Sequence, residues 1–294
     1  MLCIEITTHC KAQGENWHMA MYCIGDIQGC NEAFDDLLQQ LDYSPSRDVL
    51  YILGDMVNRG PGSAAVLRHL MELEGSAYCL LGNHDIHLLA VAQGVRAMHR
   101  KDTLVDLLLA KDAPVLLDWL RCQPLAMYAN ECLMVHAGVQ PCWDVEQTLA
   151  FAQEVQQLLS ARDWMDVLPM LFGNTPERWR SNLVGIDRYR CSLNTLTRIR
   201  LIDAQGNMDF HHKHGVESAP DSLMPWFEHP ARKTASTLIA FGHWSTLGLV
   251  QRPNLLGLDT GCVWGGKLTA AEITPDGKPG RIVQVQSNTY VPPL

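Results

Sequence analysis

Three times within residues 21–94 a short apolar run reaches a glycine, a polar turn follows, and a helical pattern begins. The runs are MYCIG ahead of GDIQGC (25–30), VLYILG ahead of GDMVNRG (54–60) and AYCLLG ahead of GNHD (82–85). This rhythm constrains the fold more than any other feature. Parallel strands need a crossover between them, usually a helix, and open α/β sheets keep their sites at the carboxyl ends of the strands. Helices are expected over 31–41, 62–73 and 84–93. HAG at 136–138 and FGHW at 241–244 repeat the delivery of a polar side chain just after an apolar run.

Further along, strands are expected at 125–129, 132–136 and 195–202, and the closing third reads as largely β through TLIAFG, LLGLDTG, KLTAAEI and RIVQVQ. Amphipathic helical stretches, TLVDLLLA and PVLLDWLR, fall within 102–120, and helical patterning returns from 145 to about 180. The expected fold class is α/β: parallel βαβ material joined to a largely antiparallel second half, making a β-sandwich flanked by helices. Helical cap segments are expected near 95–122 and 145–190. No linker divides residues 21–294, which read as one domain. Residues 1–20 read as an extension, because Met21 directly precedes the first clear strand, and 211–234 as a long surface loop.

Of 294 residues, 47% are hydrophobic and 19% charged, enough apolar material for a proper core. No run of eighteen apolar residues exists to make a membrane helix, and the first twenty lack the basic start and apolar core of a secretory signal. Ten cysteines are scattered without a CxxC pair. Cys23, Cys79 and Cys132 sit inside apolar runs and read as buried thiols, which points to a reducing cytoplasm. A formal net charge of −9 argues against non-specific nucleic-acid binding, which needs a basic surface. It leaves room for an anion held locally by metal ions.

The chemistry lies in the loops. Asp26 and Asp55 each follow a glycine after a strand, and a carboxylate can bridge two cations. Asn83 offers an amide oxygen, and His136 and His243 offer imidazole nitrogens, a mixed set that suits Mn²⁺, Fe, Co²⁺ or Zn²⁺. Any one of these motifs alone is mostly a turn or a capped helix start, with Asp85 favoured by the helix dipole. Together they describe a site for two adjacent divalent cations.

The ordered series GDxxG, GDxVxRG, GNHD, HAG and GH resembles the calcineurin-like metallophosphoesterases. Within them, GNHDIHLLAVAQG, HAGVQPCWD, TRIR and GLDTGCVWGG are most similar to the bacterial symmetrical diadenosine tetraphosphatases. The resemblance implies one metal on Asp26, Gln28 and Asp55, and a second on Asp55, Asn83, His136 and His243. Mn²⁺ is expected, with Co²⁺ or Mg²⁺ also fitting. Arg59 and Arg198 would grip phosphate oxygens, and His84 would act beside the metals, near the leaving oxygen. Asp85 and Asp259 would support the ligands from behind, Asp259 by orienting His243. The implied reaction is hydrolysis of diadenosine tetraphosphate to two ADP.

Two other readings stay open at this point. One is a broader phosphoesterase acting on phosphoproteins or on RNA ends capped by a nucleoside polyphosphate. The other is a nucleotide-binding protein that has lost its first metal through Gln28, which stands where the superfamily usually has histidine. Asn58 also departs, occupying the place of the second acid in the GDxVDRG of protein phosphatases. Trp244 and Trp264 either stack on adenine or pack the sandwich edge. His69 and His87 read as interfacial helix residues, and His211, His212 and His214 as a solvated loop. Nothing in the sequence sets the oligomeric state.

Overall fold

The computed structural model describes residues 19–212, 215–289 and 291. The expected extension lies outside the described residues apart from 19 and 20, as do Lys213 and His214. The opening rhythm is realised as β1 (Met21–Ile24), α1 (Asn31–Leu41), β2 (Val49–Ile52), α2 (Ser63–Glu72), β3 (Ala77–Cys79) and α3 (Asn83–Ala92). β1, β2 and β3 pair in parallel, side by side. All four residues of β1 are buried, and burial on both faces is why the run reads as continuously apolar instead of alternating.

Next come α4 (Val105–Leu108), α5 (Ala113–Arg121), β4 (Ala126–Ala129) and β5 (Cys132–Val135), then α6 (Val145–Ser160), α7 (Trp164–Leu171) and α8 (Gly185–Arg198). α6 starts where Asp144 accepts from the Gln147 N–H at 2.8 Å while the Gln147 side chain accepts from the Asp144 N–H at 3.2 Å. Such a reciprocal cap is worth about 1 kcal/mol. The remaining strands are β6 (Leu201–Asp203), β7 (Met208–Asp209), β8 (Leu223–Pro225), β9 (Leu238–Phe241), β10 (Val250–Arg252), β11 (Leu255–Gly257), β12 (Lys267–Ile273) and β13 (Pro279–Gln286).

Two five-stranded sheets result, β13-β12-β1-β2-β3 and β10-β11-β9-β5-β4, with a small β7-β6-β8 sheet beside them. One apolar cluster joins the sheets face to face, with Cys23, Leu53 and Ala271 from the first and Cys132, Met134, Ala240 and Leu256 from the second. A larger cluster seats helices on the outer faces, including Phe34 and Leu37 of α1, Val66 and Leu67 of α2, and Leu88 and Leu89 of α3. Each of these side chains contributes about 1.5–3 kcal/mol by leaving water. This is the expected helix-flanked sandwich. As expected, Cys23, Cys79 and Cys132 are buried.

Three local expectations need correction. Residues 195–198 are not strand but the last turn of α8, whose residues 191–197 are all buried. A helix covered on every side loses its polar stripe, so the alternation in TLTRIR mimicked a strand. The cap therefore runs past 190. The closing strands do not form a separate antiparallel half: β12 pairs antiparallel with β1 and extends the first sheet, and β9 runs parallel to both β5 and β11. Within 211–234, β8 and the fully buried Trp226 replace much of the expected surface loop.

Candidate metal centre

Every expected ligand lies at or just beyond the end of an apolar run, and the turns that aim them are unusual. Eight non-glycine described residues have positive φ, and five of them are Gln28, Asp55, Asn58, Arg59 and His243. Backbone of this kind costs about 1–3 kcal/mol per residue and persists where the surroundings enforce it, typically at functional sites. Two glycines clear space for the carboxylates: a Cβ on Gly82 would collide with Asp55 Oδ1, and one on Gly242 with Asp26 Oδ1.

Asp26, Asp55 and His136 bring ligand atoms within 4.8 Å of one another, all buried. Asp26 Oδ1 accepts from the His243 N–H at 2.9 Å, while its Oδ2 is buried without a partner. Asp55 Oδ1 accepts from the His84 N–H at 2.8 Å and lies 3.5 Å from His136 Nε2; its Oδ2 faces Gln28 Nε2 at 3.4 Å. One oxygen thus lies on the His136 side and the other nearer Gln28, where either could serve a cation.

The two candidate ligand histidines are set by backbone carbonyls. His136 Nδ1 is 2.8 Å from the Leu53 carbonyl, so it carries the proton, and Nε2 turns its lone pair inward. The His243 ring donates to the Arg198 carbonyl, which leaves Nδ1 facing Asn83. One end of the Asn83 carboxamide sits 3.3 Å from His136 Nε2, 2.8 Å from His243 Nδ1 and 3.2 Å from the Thr197 carbonyl. With nitrogen there, the two amide hydrogens are shared among three acceptors. With oxygen there, lone pairs converge on one point, which only a cation tolerates. Together with the orphaned Asp26 oxygen, this donor set fits a pair of divalent cations.

The electrostatics agree. Burial first, then the Asp259 and Asp55 carboxylates, push Asp26 well above the usual carboxylate range. Burial likewise raises Asp85, and takes Asp259 to about 7. Burial pushes His84, His136 and His243 down, keeping the rings neutral, the form that metal ligation needs. Bound dications would return the carboxylates to their charged state.

Around this cluster the other expected residues divide. His84 stands beside it, with Nε2 3.9 Å from Asp55 Oδ2. Asp85 is fully buried and ties loops together, accepting from the Met56 N–H at 3.0 Å and the Gly82 N–H at 2.8 Å. Asp259 accepts from the Gly261 N–H at 3.1 Å, a turn contact, and no hydrogen bond to His243 is found among the described residues. The expected orienting role therefore falls to the Arg198 carbonyl. Gln28 points an amide N–H at Asp55, and a half-turn of the amide is needed to present its oxygen as a ligand. Trp244 is 3% exposed and packs toward Phe227, leaving no face for a base. Trp264 is partly buried against the core.

A cavity of about 570 Å³ opens beside the cluster, lined by His84, Arg59, Arg96, Arg198, Asn174 and Phe172 among others. Arg198 donates to Asn194 at 2.8 Å and Asn174 at 2.9 Å, neutral partners that leave its charge uncompensated. Arg96 lies over the Phe172 ring at 5.0 Å and pairs with no carboxylate among the described residues. A second cavity of about 580 Å³ near Trp179, Arg180 and His229 shares none of these side chains.

The match to a family model decides what kind of centre this is: residues 19–185 match the calcineurin-like phosphoesterases. The chain is a calcineurin-like phosphoesterase. Among relatives of this phosphoesterase, proteins named symmetrical bis(5'-nucleosyl)-tetraphosphatase occur in Acidovorax ebreus, 54% identical over 86% of this chain and 91% of the relative. Another, in Delftia acidovorans, is 55% identical over 85% and 91%, and one in Ralstonia nicotianae is 49% identical over 93% and 96%. The phosphoesterase shares its fold with a solved structure reported as a candidate diadenosine tetraphosphatase (TM-score 0.61, 24% identity, 92% and 95% covered). It shares it also with a Saccharomyces cerevisiae serine/threonine phosphatase (TM-score 0.56, 13% identity, 94% and 82% covered).

Three residues of this site escape sequence reading. Arg200, in the same TRIR segment as Arg198, donates to the His243 carbonyl at 3.0 Å. Burial lowers its pKa while Asp259, Asp26 and Asp55 oppose that shift. Asp102 accepts from His87 Nε2 at 2.7 Å and from Asn58 Nδ2 at 3.0 Å, and Arg96 lines the cleft. Only Arg200 carried a local signal, its place two residues beyond Arg198.

Proposed function

We propose that this phosphoesterase cleaves diadenosine tetraphosphate symmetrically into two ADP in the cytoplasm, with Mn²⁺ in a two-metal centre on Asp26, Gln28, Asp55, Asn83, His136 and His243. What carries the reading is the junction of a buried oxygen and nitrogen ligand cluster with a cleft whose Arg96 and Arg198 face no carboxylate partner among the described residues. A tetraphosphate bridge matches that charge, and relatives sharing about half their residues bear the corresponding name. The eight described cysteines are unpaired, as a reducing compartment would keep them, and no helix among the described residues is long and apolar enough to cross a membrane.

When bound, the two cations supply a water of lowered pKa and clamp the phosphoryl oxygens for in-line attack. The protein's part is to hold the substrate. Arg59 and Arg198 grip the phosphate chain from two sides of the cleft, Arg96 neutralises its far end, and Leu171 and Phe172 offer an apolar wall to adenine. His84 sets a donor toward the oxygen on which charge develops. The leaving group is a nucleoside diphosphate whose terminal phosphate has a pKa near ~6, so stabilising charge matters more than delivering a proton.

Chromatography of the products from diadenosine tetraphosphate, protein and Mn²⁺ tests the reading. ADP alone is expected. ATP plus AMP would overturn symmetrical cleavage, and turnover of phosphopeptide but not dinucleotide would overturn the substrate.

A further inference from the structure

Asn58 and Asp102 form a hydrogen-bonded platform behind His84 that the proposed reaction does not yet use. Asn58 is fully buried, and all four of its amide valences are assigned. Oδ1 accepts from the Arg59 N–H at 2.8 Å and the Thr103 N–H at 3.1 Å. Nδ2 donates to Asp102 Oδ1 at 3.0 Å and lies 3.0 Å from His84 Nδ1. Turning the amide over would press its oxygen against the Asp102 carboxylate and its nitrogen against two backbone N–H groups. The orientation is therefore set without reference to His84. An amide –NH₂ only donates, so His84 Nδ1 must accept, and the ring proton must sit on Nε2.

This is the opposite of the arrangement at the ligand histidines. His136 and His243 are held by carbonyls so that a lone pair faces the cluster. His84 is held by an N–H so that a donor faces it. Asp102 anchors the platform from outside the sequence motifs: its second oxygen accepts from His87 Nε2 and the His99 N–H, each at 2.7 Å, and its first lies 3.7 Å from Arg59 Nη1. Thr103 Oγ1 closes the seam on the Gly60 carbonyl at 2.8 Å.

We infer that Asn58 and Asp102 are positioning residues that lock His84 in its Nε2–H form, making it a fixed hydrogen-bond donor to the phosphoryl or leaving oxygen and biasing the enzyme toward anhydrides over alkyl monoesters. An anhydride leaves without a proton, so a fixed donor suffices. An alkoxide needs the proton itself, which a ring locked at Nδ1 by an N–H surrenders poorly.

Exchanging the two residues tests this. In Asn58→Asp with Asp102→Asn every hydrogen bond of the platform can re-form, with only the 3.7 Å charge contact to Arg59 lost, but the group facing His84 becomes an acceptor. The Mg²⁺-loaded protein labelled with ¹⁵N should show Nδ1 unprotonated and Nε2 protonated in the wild type, and Nδ1 protonated in the exchange variant. The ratio of kcat on diadenosine tetraphosphate to kcat on β-glycerophosphate should fall at least tenfold, with KM for the dinucleotide changing less than threefold. Asn58→Leu, which keeps the shape but removes the donor, should give exchanging tautomers and about tenfold lower kcat at similar KM.

A wild-type His84 protonated on Nδ1 would overturn the inference, as would an exchange variant with unmoved nitrogen signals and ratio. Should the exchange variant not fold, the wild-type spectrum and Asn58→Leu still decide. The activity arm rests on the tetraphosphate reading, whereas the spectrum needs no substrate. Failure of one is thus distinguishable from failure of the other.

Discussion

Gln28 and His136 occupy comparable expected roles but reach them differently. His136 is locked by the Leu53 carbonyl into the tautomer a metal needs, whereas the Gln28 amide is free to present either end and currently gives its N–H to Asp55. A neutral carbonyl oxygen is a harder and weaker ligand than imidazole. The first metal should therefore bind more loosely than the second, with Mn²⁺ or Mg²⁺ favoured over Zn²⁺. Calorimetry should resolve two unequal sites, and Gln28→His should tighten Zn²⁺ at the weaker one by about tenfold or more, the usual scale of a ligand-shell change; two equally tight zinc sites in the wild type would contradict this. His84→Ala belongs to the same scale. With its proton held on Nε2 and charge stabilisation as its main task, its loss should reduce turnover of diadenosine tetraphosphate more than that of an alkyl phosphate ester, as steady-state rates on the two substrates will show. A larger loss on the alkyl ester would return His84 to the role of proton donor.

At the level of elements, the seam between the Gly54–Gly60 loop and the turn at residues 99–103 joins cap to sandwich, and Asp102 is its hub. Burial works against its charge, but hydrogen bonds from His87, Asn58 and the His99 N–H hold its pKa at about 2, below the ~3.9 of an unfolded aspartate. A depressed folded value stabilises above the unfolded pKa and loses that contribution as pH falls through the folded one. The stability gap between wild type and Asp102→Ala should thus be full at pH 5–7 and shrink between pH 4 and 2; urea titrations across that range measure it. A gap independent of pH would mean that packing, not charge, holds the seam. Asp102 also marks where sequence reading stops. Asp26, Asp55, Asn83, His136 and His243 were legible because each follows its own strand, so local pattern alone aims it. Asp102, His87 and Arg96 act only once the cap docks, and nothing in HRKDT announces that contact. Residues 195–198 failed for a related reason: their alternation looks like a strand until α6 and α7 cover the other side of the helix. The pairing of β12 with β1 joins residues some 250 positions apart, and no local signal announces it, which is why the closing strands read as a separate half.

Considered as a whole molecule, the sandwich exists to hold several carboxylates where water cannot reach them, and that has a thermodynamic consequence. Asp26 is buried, its pKa is raised by burial and by Asp259 and Asp55, and one of its oxygens has no partner. A folded value above the unfolded one means that this group opposes folding once pH exceeds about 4, so at pH 7 the metal-free protein carries a standing cost at its own centre. Binding of cations to the folded state alone stabilises by RT ln(1 + [L]/Kd), about 2.7 kcal/mol per site at a hundredfold excess over Kd. For a chain of this size that corresponds to a rise in Tm of roughly 4–5 °C for one filled site. Two shifts of opposite sign should follow. Adding Mn²⁺ to chelator-treated wild type should raise Tm by that amount. Asp26→Asn, which keeps an acceptor for the His243 N–H but removes the charge, should raise the metal-free Tm, lose most of the Mn²⁺ response, and abolish ADP release. Differential scanning fluorimetry with and without Mn²⁺ measures both. A variant less stable than wild type without metal would show that Asp26 is structural, and an undiminished Mn²⁺ response would move the metal away from it. The expected pattern, a mutant more stable and inactive, is the exchange of stability for function that buried ligand clusters impose.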